Sequence, residues 1–343
     1  MPLDSLPLSV ALFAVGAAAI WFGGGRLPET GNSLAGKLGI SATAIGLFVL
    51  SIVTSLPELS VTLAAMLKEG APDLAFGNIF GSNNFNITSI VVLELLVAGT
   101  FLHNVDRARY VRTCVYLLIL TTLTGLGVLV GPRMSSPALP VLLFSVPVVA
   151  IFLHDSLTHR RLQGKRTADA VARDVSGGTV GVVLRFVLLS AVVVVGGFMI
   201  ARGANGIASH EFPGGLTLGH TFVGTLLVAV ATSMPEVSVA YAAVKRAGLE
   251  DMALGTILGS NVVNILVFAV GAPLLAFKFS RSAWAMISVS NLLSVAAALL
   301  LTLFVLVGIL SRSHRAGRAV ARSMVVLAVP VYLITLFLVY RSA

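Results

Sequence analysis

Thr54-Ser55-Leu56-Pro57-Glu58 occurs twice in this chain, returning 178 residues later as Thr232-Ser233-Met234-Pro235-Glu236. A second matched run follows each copy at the same distance, Gly81-Ser82-Asn83-Asn84-Phe85-Asn86 and Gly259-Ser260-Asn261-Val262-Val263-Asn264. Laid together without a gap, residues 43–90 and 221–268 agree at about 20 of 48 positions. The agreements cluster on polar and small residues. Packing alone would keep size and apolarity; it would not keep Thr, Ser, Pro, Glu and Asn in register twice. The repeat therefore marks a shared site.

Around these motifs the chain is strongly apolar. Of 343 residues 57% are hydrophobic and only 11% charged, with a mean hydropathy of +0.99. That composition belongs to a membrane protein with many spans. A helical span needs about 20 mostly apolar residues. Ten such segments are predicted, at 5–24, 41–67, 72–98, 111–130, 136–154, 181–201, 219–244, 250–276, 284–310 and 321–340. The N-terminal stretch lacks a basic n-region, so the first segment reads as a retained span.

The net charge of +9 could suggest a nucleic-acid partner, but the placement of the charges excludes that reading. With an external N-terminus, the outward loops hold only Lys68, Arg133, Arg202, Lys278, Arg281 and Arg341. Arg185 sits at the inner mouth of span six, and every other Lys and Arg falls in an inward loop. This is the positive-inside bias; it places both termini outside, and the polar stretch 155–180 reads as a cytoplasmic linker. The partner implied is the lipid bilayer of a prokaryotic plasma membrane. Cys114 is the single cysteine, which leaves no disulfide framework and no thiolate metal site.

The expected fold is all-α, with ten transmembrane helices arranged as two five-helix repeats, 1–154 and 181–343. Five spans per half is an odd number, so the second copy enters the membrane from the opposite side and the repeats are inverted. Transporters built in this way place their ion site at the midplane, on interrupted helices where the repeats meet.

The motifs supply what such a site needs. Pro57 cannot donate to the carbonyl of Val53, and its ring pushes that carbonyl aside. Thr54 and Ser55 precede Glu58 by four and three residues and share its helical face. Thr232, Ser233, Pro235 and Glu236 repeat the arrangement. Gly77 and Gly81, like Gly255 and Gly259, are spaced for close helix contact, which would bring Ser82, Asn86, Ser260 and Asn264 against the two glutamates. Two carboxylates among neutral oxygens suit Na⁺ or Ca²⁺, not Zn or Cu. A lone Pro-Glu or Gly-x-x-x-Gly is more often a kink or a packing device. A mid-membrane charge, however, costs about 2.5–3.5 kcal/mol on insertion scales, and here it occurs twice with the same polar escort. Glu94, whose counterpart is Ala272, reads as interfacial or structural, and the six His residues fall in loops or at span ends.

These residues resemble the alpha repeats of the sodium/calcium exchanger family, within the cation/calcium antiporter superfamily. The motif 43–90 corresponds to the first repeat and 221–268 to the second. The resemblance implies alternating access, with ions held by spans two, three, seven and eight while spans one and six slide as a gate. Carried over by position, Thr54, Ser55, Glu58, Ser82, Asn86, Thr232, Ser233, Glu236, Ser260 and Asn264 line the sites, with the carbonyls of Ser51 and Ala229. It implies exchange of Ca²⁺ for Na⁺ as transported ions, with no cofactor and no enzymatic activity. Coupling to H⁺ or K⁺ is the alternative. The proton-coupled branch typically places Glu where Asn86 and Asn264 stand. Two departures are visible: Val53 and Ala231 replace the usual Gly before Thr-Ser, and many relatives have Asp at one of the two Asn positions.

Overall fold

In the computed structural model of the protein, the described residues are 5–37, 54–96, 102, 105–134, 136, 138–153, 178–213, 215–245, 250–279, 286–311 and 315–342. Among them the chain is helical throughout, apart from one bridge between Phe212 and Leu216. Helix α1 spans Leu6–Gly24 and α2 spans Leu27–Lys37. Helix α3 runs Leu56–Ala64 and continues through a π-helical turn, Ala65–Glu69; α4 is Pro72–Leu96 and α5 Arg107–Val130. Helix α6 is Ala138–Leu153 and α7 Thr179–Ser209. Helix α8 begins at His220–Val223, passes through a π-helical turn at Gly224–Val228 and ends as Ala229–Lys245. Helices α9 (Glu250–Phe279), α10 (Asn291–Ser311) and α11 (Arg315–Ser342) complete the fold.

Each of the ten expected segments carries helix. Among the described residues, six helices are long and apolar enough to cross a membrane: α1, α5, α7, α8, α9 and α10. Helix α4 has the length, but Asn78, Ser82, Asn83, Asn84 and Asn86 lower its hydropathy, and all five are buried. The polar motif is thus turned into the bundle and away from lipid, as intramembrane polar groups require. Two features differ from the sequence reading. The stretch after span one, expected as a loop, forms α2. Span six runs eight residues past its expected end, to Ser209, because the polar side chains of that last stretch find partners. The Glu69 carboxylate accepts from Arg202 (3.4 Å) and Asn205 (3.1 Å), and Asn205 Oδ1 lies 2.8 Å from His220 Nε2.

Small residues set the helix crossings. Gly16 of α1 and Gly196 of α7 face each other so closely that a methyl on either would lie within 3 Å of the other's carbonyl oxygen. A methyl on Gly203 would meet the Ser9 carbonyl oxygen at 2.6 Å, so α1 and α7 lie along each other with backbones nearly touching. A second tight crossing joins α4 to the π-helical turn of α8. There a methyl on Gly77 would meet Thr221 O at 2.8 Å, and one on Gly224 would meet Leu74 O at 2.6 Å. Gly81 is pressed on the backbone of Thr225. The Gly-x-x-x-Gly spacing of the first copy thus allows the approach expected of it. Cys114 is buried on α5.

Candidate functional site

The two motif copies meet where α3, α4, α8 and α9 converge. On α4 and α9 the pairing is reciprocal. Asn83 Nδ2 donates to Asn261 O at 3.2 Å, and Asn261 Nδ2 donates to Asn83 O at 3.1 Å. One turn on, Asn86 Nδ2 donates to Asn261 Oδ1 at 3.0 Å, and Asn264 Nδ2 to Asn83 Oδ1 at 3.1 Å. Each bond has a mate in which the copies exchange roles. These donors fix the orientation of both amides and leave Asn86 Oδ1 and Asn264 Oδ1 buried with no partner.

One glutamate is held across the copies and the other within its own. Ser233 of α8 donates to Glu58 Oε1 at 3.0 Å, and Ser260 of α9 donates to Glu236 Oε1 at 3.5 Å. The hydroxyl of Thr232 also lies near the Glu58 carboxylate, and that of Thr54 near Glu236. Thr54 Oγ1 lies 3.2 Å from Ser260 Oγ, while Ser82 Oγ lies 3.3 Å from Thr232 Oγ1. Ser233 therefore reaches across to the other copy's carboxylate and Thr54 approaches the other copy through Ser260, while Ser55 does not. The sequence, read along a single helix, grouped each pair with its own glutamate.

Both glutamates are 0% exposed, and the second oxygen of each, Glu58 Oε2 and Glu236 Oε2, has no partner; neither does Ser55 Oγ. With the two Asn carbonyls this makes five buried oxygens from three types of group, without a hydrogen-bond donor. A buried ionised carboxylate in such a state costs several kcal/mol (on the order of the desolvation penalty of one ion) unless a counter-charge arrives. Among the described residues no group of three His, Cys, Asp or Glu side chains could hold a metal ion. The set is two carboxylates completed by neutral oxygens.

Backbone oxygens enter less simply. Ala229 O accepts from Thr232 at 3.3 Å and from Ser82 at 3.5 Å. Ser51 lies outside the described residues. Pro57 was expected in the middle of a kinked helix. Thr54 is helical, a turn at Ser55 (φ −83°, ψ 8°) interrupts the helix, and Pro57 falls in the first turn of α3 directly after that break. Val53, whose carbonyl it was expected to free, lies outside the described residues. Pro235 does lie inside its helix. The last turn of α1 seats against both: a methyl on Gly24 would lie 2.8 Å from Pro235 Cγ and 3.7 Å from Pro57 Cγ. Beside this contact a pocket lined by Trp21, Gly25, Arg26, Pro235 and Ser238 opens toward the second motif.

Asn78 belongs to the site although sequence reasoning gave it no role. Its Nδ2 donates to Thr62 Oγ1 (3.1 Å) and Glu58 O (3.4 Å), and its Oδ1 accepts from Thr232 (3.1 Å). Its repeat counterpart is Thr256, so the duplication that flagged the other residues passed it over. Asn83 and Asn261 were within the motifs, and their identity in both copies was the available signal. Glu94 is apart from the site: its carboxylate accepts the backbone N–H of Leu102 at 2.9 Å, the structural role expected of it.

The family model described as sodium/calcium exchanger protein matches residues 8–154 and 181–341. The chain belongs to that family. Its matched residues leave out the stretch 155–180. The Escherichia coli K12 inner membrane protein YrbG is 31% identical over 271 residues, covering 78% of this chain and 80% of its own. Among solved structures, the sodium-calcium exchanger NCX_Mj soaked with Na⁺ and Sr²⁺ aligns over 96% of this chain and 98% of its own, with TM-score 0.56 and 22% identity. An H⁺/Ca²⁺ exchanger, CAX, aligns over 97% of this chain and 90% of its own, with TM-score 0.63 and 13% identity. At these identities the two structures attest the fold. Family membership makes the protein a multi-pass membrane transporter and not an enzyme.

Proposed function

We propose that the protein is a secondary active antiporter that exchanges Ca²⁺ for Na⁺ by alternating access. Its ten spans form two inverted repeats, and ions bind at the midplane between α3, α4, α8 and α9. The observation that carries this reading is the pair Glu58 and Glu236, sealed from solvent with one oxygen each unpartnered beside three bare neutral oxygens.

Hard oxygen ligands without His or Cys select alkali and alkaline-earth cations. A formal charge of −2 is balanced by one Ca²⁺ or by two Na⁺, and two charges in one low-dielectric cavity cannot both stay uncompensated. Occupancy by one ion type therefore excludes the other, which is the condition for exchange. The crossed hydroxyl bonds add a means of coupling: a cation that draws Glu58 also draws on Ser233 of the opposite repeat. Helices α1 and α7, packed backbone to backbone and seated on the motif prolines through Gly24, are placed to slide as the gate.

The test is calcium-45 uptake into proteoliposomes holding the purified protein, with Na⁺, K⁺ and H⁺ gradients imposed in turn. Uptake driven by an outward Na⁺ gradient alone supports the reading. Uptake driven by H⁺ or K⁺ and indifferent to Na⁺ contradicts the coupling ion and favours the alternative antiporter. For the topology, cysteines placed at Ser156 and Ser342 in a Cys114→Ala background should label from opposite sides of the membrane.

A further inference from the structure

One hydroxyl of the shared site has more acceptors than protons. Thr232 Oγ1 lies 3.1 Å from Asn78 Oδ1, 3.3 Å from Ala229 O and 3.3 Å from Ser82 Oγ, with the Glu58 carboxylate near it. It carries a single proton and two lone pairs. A hydroxyl that ligates a cation must aim a lone pair at the ion, so its proton has to rest on some other oxygen. Where that proton goes decides whether Thr232 serves Glu58 as a fellow ligand or only as a hydrogen-bond donor.

Asn78 sets the direction. Its Nδ2 donates to Thr62 Oγ1 at 3.1 Å and to Glu58 O at 3.4 Å. A carbonyl oxygen can only accept, so the amide nitrogen is pinned on α3 and Oδ1 is left to face Thr232 of α8. Oδ1 is itself an acceptor only, and it is the nearest of the three oxygens to the Thr232 hydroxyl. Ser82, one turn after Asn78 on α4, has a proton of its own and shares Ala229 O, at 3.5 Å. Asn78, Thr62 and Thr232 are all 0% exposed, so solvent does not compete for these bonds. The other copy has Thr256 where the first has Asn78, a hydroxyl that donates as well as accepts and imposes no direction.

We propose that Asn78 is a positioning residue for cation binding: by holding the Thr232 proton, it turns the lone pairs of that hydroxyl toward Glu58. The inference rests on the ion site proposed above and deepens it. One half of a duplicated site gains a prepared ligand through a residue that the sequence does not repeat in the other half. Asn78 itself touches no ion and acts through Thr232.

The test is equilibrium binding of calcium-45 to the full-length protein in Na⁺-free detergent solution. Two variants serve: Asn78→Leu keeps size and loses the acceptor, and Asn78→Thr gives the position the residue of the other copy. Each should raise the Kd for Ca²⁺ by up to about tenfold, and by no more than Thr232→Val does. In a Thr232→Val background neither substitution should weaken binding further, whereas in a Thr54→Val background each should cost its full factor. An Asn78 that merely ties α3 to α4 weakens binding alike in both backgrounds, and that result overturns the proposal. Unchanged affinity in both single variants overturns it too. Thermal unfolding in detergent checks the fold of each variant, and either one alone suffices for the comparison. Failure of the ion-site reading shows separately, as a wild-type protein that binds no Ca²⁺.

Discussion

The two copies of Thr-Ser-x-Pro-Glu share their side chains but not their backbone. In the first, a turn at Ser55 precedes α3, and Pro57 stands in its opening turn. In the second, Pro235 lies inside an unbroken helix, Ala229–Lys245, and the irregularity is a π-helical turn displaced to Gly224–Val228. In the first copy a π-helical turn follows the motif, at Ala65–Glu69. The hydroxyl contacts differ as well: Ser233 donates to Glu58 at 3.0 Å, whereas the hydroxyl of its counterpart Ser55 has no partner. Nearly the same sequence thus stands in two backbone forms. Under the proposed inverted-repeat mechanism, exchanging the two forms between the halves would turn the open side of the molecule over.

Removing a carboxylate is the harshest way to probe the comparison. Glu58→Gln and Glu236→Gln should each abolish Ca²⁺ exchange in proteoliposomes, with yield nearly unchanged because a costly buried charge is gone. Equal loss from both means that the copies are equal in chemistry despite their different backbones. Near-normal exchange in either variant would reduce that glutamate to a packing residue.

The prolines should separate the copies. Pro235→Ala restores a ladder bond inside a helix, where proline costs about 3 kcal/mol. Pro57→Ala changes a position in the first turn of α3, directly after the break at Ser55, where proline is well tolerated. Thermal unfolding in detergent should show a clear rise in Tm for Pro235→Ala and little change for Pro57→Ala. Transport should slow more in Pro235→Ala, because the helix can no longer open there. Equal shifts in Tm would mean that both forms are sampled equally in the resting protein.

Smaller effects are expected from the hydroxyls. Thr54→Val and Thr232→Val keep shape and remove one oxygen each, a loss of about 0.5–1.5 kcal/mol, or up to about tenfold in apparent affinity for the ions. Because each threonine serves the opposite glutamate, Thr54→Val combined with Glu236→Gln should be no worse than Glu236→Gln alone. Unchanged apparent affinity in both single variants would show that these side chains merely pack.

How much of this could be read from the chain depends on whether a feature is local. The helical segments were legible because apolar runs of span length have few other outcomes. The meeting of the two motif copies was legible because the same polar residues stand twice in register. Crossed pairing was not: that Ser233 serves Glu58, and that Asn83 and Asn261 clasp each other, follows from how α4 and α9 meet and not from spacing on either helix. Asn78 escaped because its counterpart is Thr256. The length of α7 was misjudged because Arg202 and Asn205 look like a helix exit until Glu69 and His220 are seen to satisfy them. The backbone difference at Pro57 and Pro235 was not legible, since the two motifs differ only at Leu56 and Met234.

The central claim is that Glu58 and Glu236, one from each repeat, jointly hold a single divalent cation. Equilibrium binding of calcium-45 to the purified protein in Na⁺-free detergent solution tests it most directly, in the wild type and in both Gln variants. The account predicts one Ca²⁺ per chain at the shared site, lost whenever either glutamate is replaced. Two Ca²⁺ per chain, or one still bound after a single Gln substitution at wild-type affinity, would contradict it.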